Sequence, residues 1–188
     1  MTTIEELYTL YLQHPIVSTD TRKLPKDCLF FALKGVNFDG NKYALSALEA
    51  GAAYAVIDDC TLVGKDDRLL LVSDVLHTLQ QLARHHRHQL KTPVIAITGT
   101  NGKTTTKELT ASVLAQGYQL LFTEGNLNNH IGVPLTLLRL TQEHQLALIE
   151  MGASKPGDID ELCAIAEPNY GLITNIGRAH LEGFGSIE

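Results

Sequence analysis

The chain has 188 residues, of which 44% are hydrophobic, and carries 15 basic against 21 acidic side chains. This composition supplies enough apolar material for a folded core and excludes a disordered or collagen-like chain. The net charge of -6 argues against a nucleic-acid surface, and no apolar run reaches the roughly 18 residues of a membrane helix. Three scattered cysteines without CxxC spacing predict neither disulfides nor a zinc site. We expect a cytoplasmic protein, with a monomer favoured, that neither binds nucleic acid nor enters a membrane.

Strands and helices alternate in the first part of the chain. Thr3 and Glu6 have the spacing of a capping box, and apolar residues then recur at helical intervals. The predicted elements, in chain order, are a helix over 3–13, a strand over 28–33, a helix over 42–50, and strands over 53–57 and 69–72. This alternation predicts an α/β fold.

A long helix is predicted to lead into a second domain. Asp74 can cap this helix, which runs to about residue 90, and Pro93 breaks it before the next strand. We therefore predict domains over 1–91 and 92–188. The helix ends in a histidine and arginine run over 85–88, where solvated cations would suit the helix dipole.

The alternation continues in the second domain. The predicted elements are strands over 94–98, 120–122, 146–150 and 171–174, with helices over 103–116, after Pro134 and over 158–166. Each strand is short and apolar on both faces, which is typical of a mostly parallel sheet covered by helices on both sides. No helix follows to cover the last strand, so we expect this domain to be truncated.

A glycine-bearing loop joins the strand over 94–98 to the next helix and predicts a phosphate site. Its glycines permit a tight turn, in which inward-facing amides and the helix N-terminus can hold an anion. Lys103 would reach the β and γ phosphates, and the Thr104 hydroxyl would ligate Mg²⁺. Ile97 replaces the first Walker glycine, so only the GxxGK[ST] core is present. The alternative is an ordinary strand-to-helix turn.

The segment TGTNGKTTTKE resembles the ATP loop of the Mur ligases, which build the peptide stem of bacterial cell-wall precursors. The segments NLNNHIGVP, EMGA and TNIGRAHLEGFGS resemble that family in the same order, over 126–134, 150–153 and 174–186. TDTR over 19–22 and FFALKG over 30–35 are similar to its UDP-sugar-binding domain. The combination is close to the members that add D-alanyl-D-alanine.

The resemblance implies a small N-terminal α/β UDP-sugar-binding domain, followed by a truncated P-loop ATPase domain with a mostly parallel sheet. It implies a ligase that uses ATP and Mg²⁺ to join D-Ala-D-Ala to UDP-N-acetylmuramoyl-tripeptide through an acyl phosphate, in peptidoglycan precursor synthesis. The family has three domains, and this chain reaches only the first and about half of the second. We therefore expect an incomplete, inactive fragment.

The resemblance also implies roles for individual residues of the second domain. Glu150 follows an apolar strand, where parallel sheets place ligands, and its carboxylate could hold Mg²⁺ opposite Thr104. His180 resembles the family's ligand to a second Mg²⁺. Together with Lys103, Glu150 and His180 are the catalytic candidates. The residues implied to bind ATP are Gly99, Thr100, Asn101, Gly102, Lys103, Thr104 and Thr105.

Candidate substrate contacts fall in both domains. Asn126, Asn128 and Asn129 offer amide donors and acceptors beside the phosphates, although asparagine is also common in plain turns. In the first domain, the Arg22 guanidinium could bind a pyrophosphate in a bidentate manner, with Thr21 as a hydrogen-bonding neighbour. The alternative for Arg22 is a surface side chain without a role.

Three other functions compete with the D-Ala-D-Ala ligase. Folylpolyglutamate synthase uses a similar loop, but the TDTR, FFALKG and NLNNHIGVP segments favour the cell-wall enzyme. A noncatalytic module that binds nucleotides or UDP-sugars is the second alternative, and a P-loop kinase is the third.

Overall fold

Residues 1–177 are described by the computed structural model, and the chain separates into one unit over Met1–His85 and another that begins at His86. Both units contain a parallel sheet with helices, so the predicted α/β fold is confirmed. The functional division proposed at 91/92 stays a prediction. No helix in the described range is long and apolar enough to cross a membrane.

The first unit is built on a four-stranded parallel sheet with strand order β1-β2-β5-β6. Phe30 on β2 and Ile57 on β5 are buried in its core. The predicted capping box is confirmed, because the Thr3 amide donates to Glu6 and the Glu6 amide donates to the Thr3 hydroxyl. The elements are α1 (Ile4–Gln13), β1 (Val17–Ser18), β2 (Leu29–Phe31), β3 (Lys34–Gly35), β4 (Phe38–Asp39), α2 (Ala44–Glu49), β5 (Tyr54–Ile57), β6 (Leu69–Leu71) and α3 (Val75–Gln89), which continues into the second unit.

Some short strands of the first unit were not predicted. β1 has only two residues, which is too few to show an apolar alternation in the sequence. β3 and β4 form a small antiparallel hairpin between the predicted strand over 28–33 and the predicted helix over 42–50. These elements depend on pairing with a neighbouring strand, and that information is not local.

The second unit has a parallel sheet with strand order β10-β7-β9-β8. Ile97 on β7 pairs with Glu150 on β9, and Thr98 pairs with Ile173 on β10. The carboxyl ends of these three neighbouring strands therefore lie at one edge of the sheet. The elements are β7 (Val94–Thr98), α4 (Lys103–Leu114), β8 (Leu120–Phe122), α5 (Gly132–Leu137), β9 (Leu146–Glu150), α6 (Asp158–Ala166) and β10 (Tyr170–Ile173).

Two predictions for the second unit are wrong. α5 begins at Gly132, so Pro134 lies inside its first turn, where a missing amide hydrogen costs nothing. The run over 85–88 is not uniformly solvated. His86 is buried and hydrogen-bonds the Leu140 carbonyl through Nε2, at 2.9 Å, and Arg87 is also buried.

Candidate functional site

The loop over 99–102 follows β7, the strand that lies between β9 and β10. Glu150 is the last residue of β9, and the segment over 174–177 follows β10. The strand order therefore places the loop beside both of these groups. Open parallel sheets bind ligands at this position, beyond the carboxyl ends of the strands.

Two glycines give the loop its shape. Gly99 has φ of +135°, and a Cβ atom there would overlap the Thr174 hydroxyl oxygen. Gly102 has φ of +79°, in the left-handed region, and immediately precedes α4. Both positions favour glycine because other residues rarely adopt these angles. The close contact at Gly99 shows that the segment after β10 packs directly on the loop.

The segment after β10 also binds two loop amides. The Thr100 amide donates to the Asn175 carbonyl, and the Asn101 amide donates to the Asn175 side-chain oxygen, both at 3.0 Å. The Thr174 hydroxyl donates in turn to the Asn101 carbonyl at 2.7 Å. The prediction that successive loop amides face a common hollow is therefore wrong at Thr100 and Asn101. Their amides bind the neighbouring loop.

The backbone amides of residues 102–105 are the loop amides that can still bind an anion. They lie at the first turn of α4 and have no acceptor within residues 1–177. The Lys103 ammonium donates to the carbonyls of Gly99, at 2.6 Å, and Thr100, at 3.1 Å. An ammonium group has three donors, so one has no acceptor within the described part of the chain. Together with the helix dipole, these groups form a positive end suited to phosphate.

Glu150 supplies the negative charge beside this helix end. The carboxylate is buried, with 1% of the residue exposed. Its Oε1 accepts hydrogen bonds from the Thr104 hydroxyl at 3.2 Å and from the Asn128 side chain at 2.8 Å. Its Oε2 is buried and has no hydrogen-bond partner among the described residues. A buried carboxylate oxygen without a donor is costly, and a bound cation would satisfy it.

These residues fit the Mg²⁺ that the resemblance to the Mur ligases implies. Carboxylate and hydroxyl oxygens are suitable Mg²⁺ ligands, and Thr104 and Glu150 present one of each within contact distance. The spare Oε2 is the observation that supports a cation here. His180, the predicted ligand of a second Mg²⁺, lies outside the described residues.

A buried lysine, which sequence reasoning missed, supports the same site. Lys107 lies fully buried on α4, and its ammonium donates to the Thr123 carbonyl at 2.7 Å and to Glu108 at 2.6 Å. The Thr123 hydroxyl accepts a hydrogen bond from the Glu150 amide at 2.9 Å. Lys107 follows Lys103 by four residues, and this shared helix face was the available signal.

The three predicted asparagines have different environments. Asn128 binds Glu150, as described above. The Asn129 side chain accepts hydrogen bonds from the amides of Ile131 and Gly132, which is the turn-forming role considered as its alternative. Asn126 is exposed, and its carbonyl accepts a hydrogen bond from the Asn128 amide. Only Asn128 thus contacts the proposed magnesium ligands.

The candidate substrate residues of the first unit lie in a short turn. The Arg22 guanidinium binds both oxygens of Asp20, with Nη2 2.7 Å from Oδ2, and 86% of the Arg22 side chain is exposed. These bonds lower the pKa of Asp20 to about 2. Thr21 is half-buried beside them. Arg22 is therefore oriented and accessible, but part of its guanidinium fork already binds a carboxylate.

Comparisons with known proteins identify the family. Residues 97–188 match the model of the Mur ligase middle domain, and residues 15–87 match that of the Mur ligase family, catalytic domain. The UDP-N-acetylmuramoyl-tripeptide--D-alanyl-D-alanine ligases of Bacillus subtilis and Escherichia coli are 46% and 45% identical to this chain. The alignments cover 92% and 91% of this chain, but only 38% and 37% of the relatives.

Solved structures show the same relationship. MurF from Acinetobacter baumannii superposes with a TM-score of 0.84 at 40% identity, over 91% of this chain and 38% of that protein. MurF ligase from Thermotoga maritima in complex with ADP gives 0.84 at 35% identity, over 94% and 41%. This protein thus spans well under half the length of these relatives. By the two matched domain models and these alignments, the chain belongs to the Mur ligase family.

Proposed function

We propose that the chain supplies the nucleotide site and the UDP-sugar-peptide-binding unit of an ATP-dependent amide ligase of the MurF type. In that reaction, UDP-N-acetylmuramoyl-tripeptide and D-Ala-D-Ala are joined through an acyl phosphate. The relatives in Bacillus subtilis and Escherichia coli carry the name of this activity, and the Thermotoga maritima relative was solved with ADP. The observation that carries the proposal is the contact between Thr104 and Glu150 beside the open amides of α4.

The proposed chemistry needs positive charge at this edge of the sheet. The tripeptide carboxylate and the γ-phosphate are both anionic, so their approach must be compensated electrostatically. Lys103 would contribute its remaining donor, and the amides of 102–105 would bind phosphate oxygens. Thr104 and Glu150 would hold Mg²⁺, which neutralises phosphate charge when bound. Asn128 would keep the Glu150 carboxylate oriented through Oε1.

The proposed roles divide between the two units. Thr21 and Arg22 of the first unit would contact the substrate pyrophosphate, and Arg22 would exchange part of its Asp20 contact for phosphate oxygens. Asn126 and Asn129 remain proposed substrate contacts, and His180 remains a proposed ligand of a second Mg²⁺. The domain assignment over 1–91 and 92–188 belongs to the same proposal.

A direct binding measurement tests the nucleotide site. The 188-residue chain is titrated with a nonhydrolysable ATP analogue in the presence of Mg²⁺, by calorimetry. We expect binding at a single site, and a large loss of affinity in Lys103→Ala but not in Lys155→Ala, which removes an exposed lysine. Equal affinities for the two variants would contradict the proposed phosphate site.

A noncatalytic module that binds nucleotides or UDP-sugars is the second candidate. The two candidates differ in turnover. Phosphate release and product mass are measured with ATP, UDP-N-acetylmuramoyl-tripeptide and D-Ala-D-Ala. An amide-linked pentapeptide supports the ligase, whereas nucleotide binding without phosphate release supports the module.

A further inference from the structure

A second cluster of potential metal ligands lies between the segment before α5 and the first turn of α6. It consists of His130, Asp158 and Glu161, which offer one imidazole nitrogen and two carboxylate oxygens. These three atoms all lie within 4.8 Å of one another. Asp158 and Glu161 are three residues apart on α6, so they project from the same face of the helix.

The burial of Asp158 and the hydrogen bonding of its two oxygens distinguish this cluster from an ordinary surface ion pair. Asp158 is buried, with 4% of its side chain exposed. Its Oδ2 accepts hydrogen bonds from the amides of Ser154, at 2.8 Å, and Lys155, at 3.0 Å, and from the Ser154 hydroxyl, at 3.1 Å. Its Oδ1 is buried and has no hydrogen-bond partner among residues 1–177.

The charged groups near this oxygen do not satisfy it. His130 Nε2 lies 3.9 Å from Oδ1, and the Lys155 ammonium lies 4.0 Å away, both beyond hydrogen-bonding distance. His130 Nε2 is closer to Glu161 Oε2, at 2.7 Å. The Lys155 side chain is 64% exposed and can turn toward solvent. Oδ1 of Asp158 therefore lies near the His130 nitrogen and the Glu161 carboxylate, and it accepts no hydrogen bond from the described residues.

We propose that His130, Asp158 and Glu161 bind a divalent transition-metal ion, of the class of Zn²⁺. One imidazole and two carboxylates are typical zinc ligands, and a water would complete a four-coordinate site. Ligand atoms 2.0–2.2 Å from zinc lie roughly 3.3 Å apart in tetrahedral geometry, which small side-chain rotations of this cluster would produce. The ion would connect α6 to the segment that precedes α5.

The electrostatic setting supports a cation. The N-terminus of α6 contributes about half a positive charge, whereas the ionised carboxylates of Asp158 and Glu161 contribute two negative charges. The negative charge therefore exceeds that of the helix end. The amides of Ser154 and Lys155 donate to Oδ2, and the bond from Ser154 is the largest of the effects that lower the pKa of Asp158.

Zinc titration of the whole chain tests the proposal. After treatment with chelator and removal of the chelator, the protein is titrated with Zn²⁺ by calorimetry. We expect one site per chain, and at least about a tenfold loss of affinity in both His130→Gln and Glu161→Gln. The matched control is His88→Gln, because His88 Nε2 also lies 2.7 Å from a carboxylate oxygen, of Glu167, but belongs to no three-ligand cluster among residues 1–177.

A second measurement covers the case in which a variant is poorly folded. Imidazole resonances of the unaltered chain are followed by NMR during the same titration. Selective change of the His130 signals by one equivalent of Zn²⁺ supports the site. The proposal is overturned if His130 is unaffected, if no zinc binds, or if His88→Gln loses as much affinity as His130→Gln. Such results would mean that His130 and Glu161 form an ion pair only.

Discussion

Replacing Glu150 with glutamine should stabilise the protein when no divalent cation is present. The carboxylate is buried, and its Oε2 lacks a donor within the described range. Glutamine keeps an oxygen that can accept hydrogen bonds from Thr104 and Asn128, and it removes the charge. An unsatisfied buried group costs about 1–3 kcal/mol, and more when it is charged. Because part of this carboxylate is already hydrogen-bonded, we expect a gain of about 1–3 kcal/mol.

The change in melting temperature follows from the size of the chain. One kcal/mol corresponds to about 2–4 °C for a protein of 150–250 residues, so the midpoint should rise by about 2–12 °C. Thermal unfolding is followed by circular dichroism in chelator-containing buffer. Glu143→Gln is the control, since that side chain is exposed and its replacement should leave the midpoint unchanged.

Addition of Mg²⁺ and a nonhydrolysable ATP analogue should reverse the order of the two melting temperatures, so that the unaltered protein melts above Glu150→Gln. The unaltered protein should gain about 2.7 kcal/mol at ligand concentrations a hundredfold above the dissociation constant. Glu150→Gln should gain much less, because a neutral amide binds Mg²⁺ poorly. The prediction is wrong if the variant melts at or below the melting temperature of the unaltered protein in chelator, or if both proteins gain the same stability from the ligand.

Three further predictions concern individual charges. Lys103→Ala should remove most of the affinity for ATP and leave the fold intact, because alanine is a good helix former; calorimetry and circular dichroism measure the two effects. The Asp20 carboxyl should titrate near pH 2, since Arg22 holds its pKa below the usual value of 3.8. The stabilisation from this pair should thus be complete at neutral pH and lost as the pH falls through about 2; a midpoint near 3.8 in an NMR titration would contradict this. Lys107→Met should destabilise the second unit by about 1–3 kcal/mol in urea unfolding, because the Thr123 carbonyl loses its donor, and an unchanged stability would disprove this.

Local sequence patterns predicted most elements of the second unit. β7, β8 and β9 have the predicted bounds, as does α6, because their apolar runs end at clear boundaries. The proximity of Thr104 and Glu150 also followed from the sequence, since the carboxyl ends of parallel strands meet at one edge.

The remaining features depend on contacts between distant segments. The burial of Lys107 could not be predicted, because the carbonyl that it binds belongs to Thr123, sixteen residues later. Likewise, Asn175 follows a different strand, β10, and accepts hydrogen bonds from two amides of the phosphate loop. Propensity and spacing describe a segment by itself, so they miss groups whose environment is created by the fold.

The anchoring of α3 affects any attempt to prepare the second unit alone. Besides His86, the Arg87 side chain lies within that unit, where it donates to the carbonyls of Ala166 and Leu90. A recombinant piece starting at 92, the boundary predicted from sequence, would lack both side chains and leave the Leu140 and Ala166 carbonyls without these donors. A piece intended for isolated study should therefore retain the final turns of α3 as its leading segment.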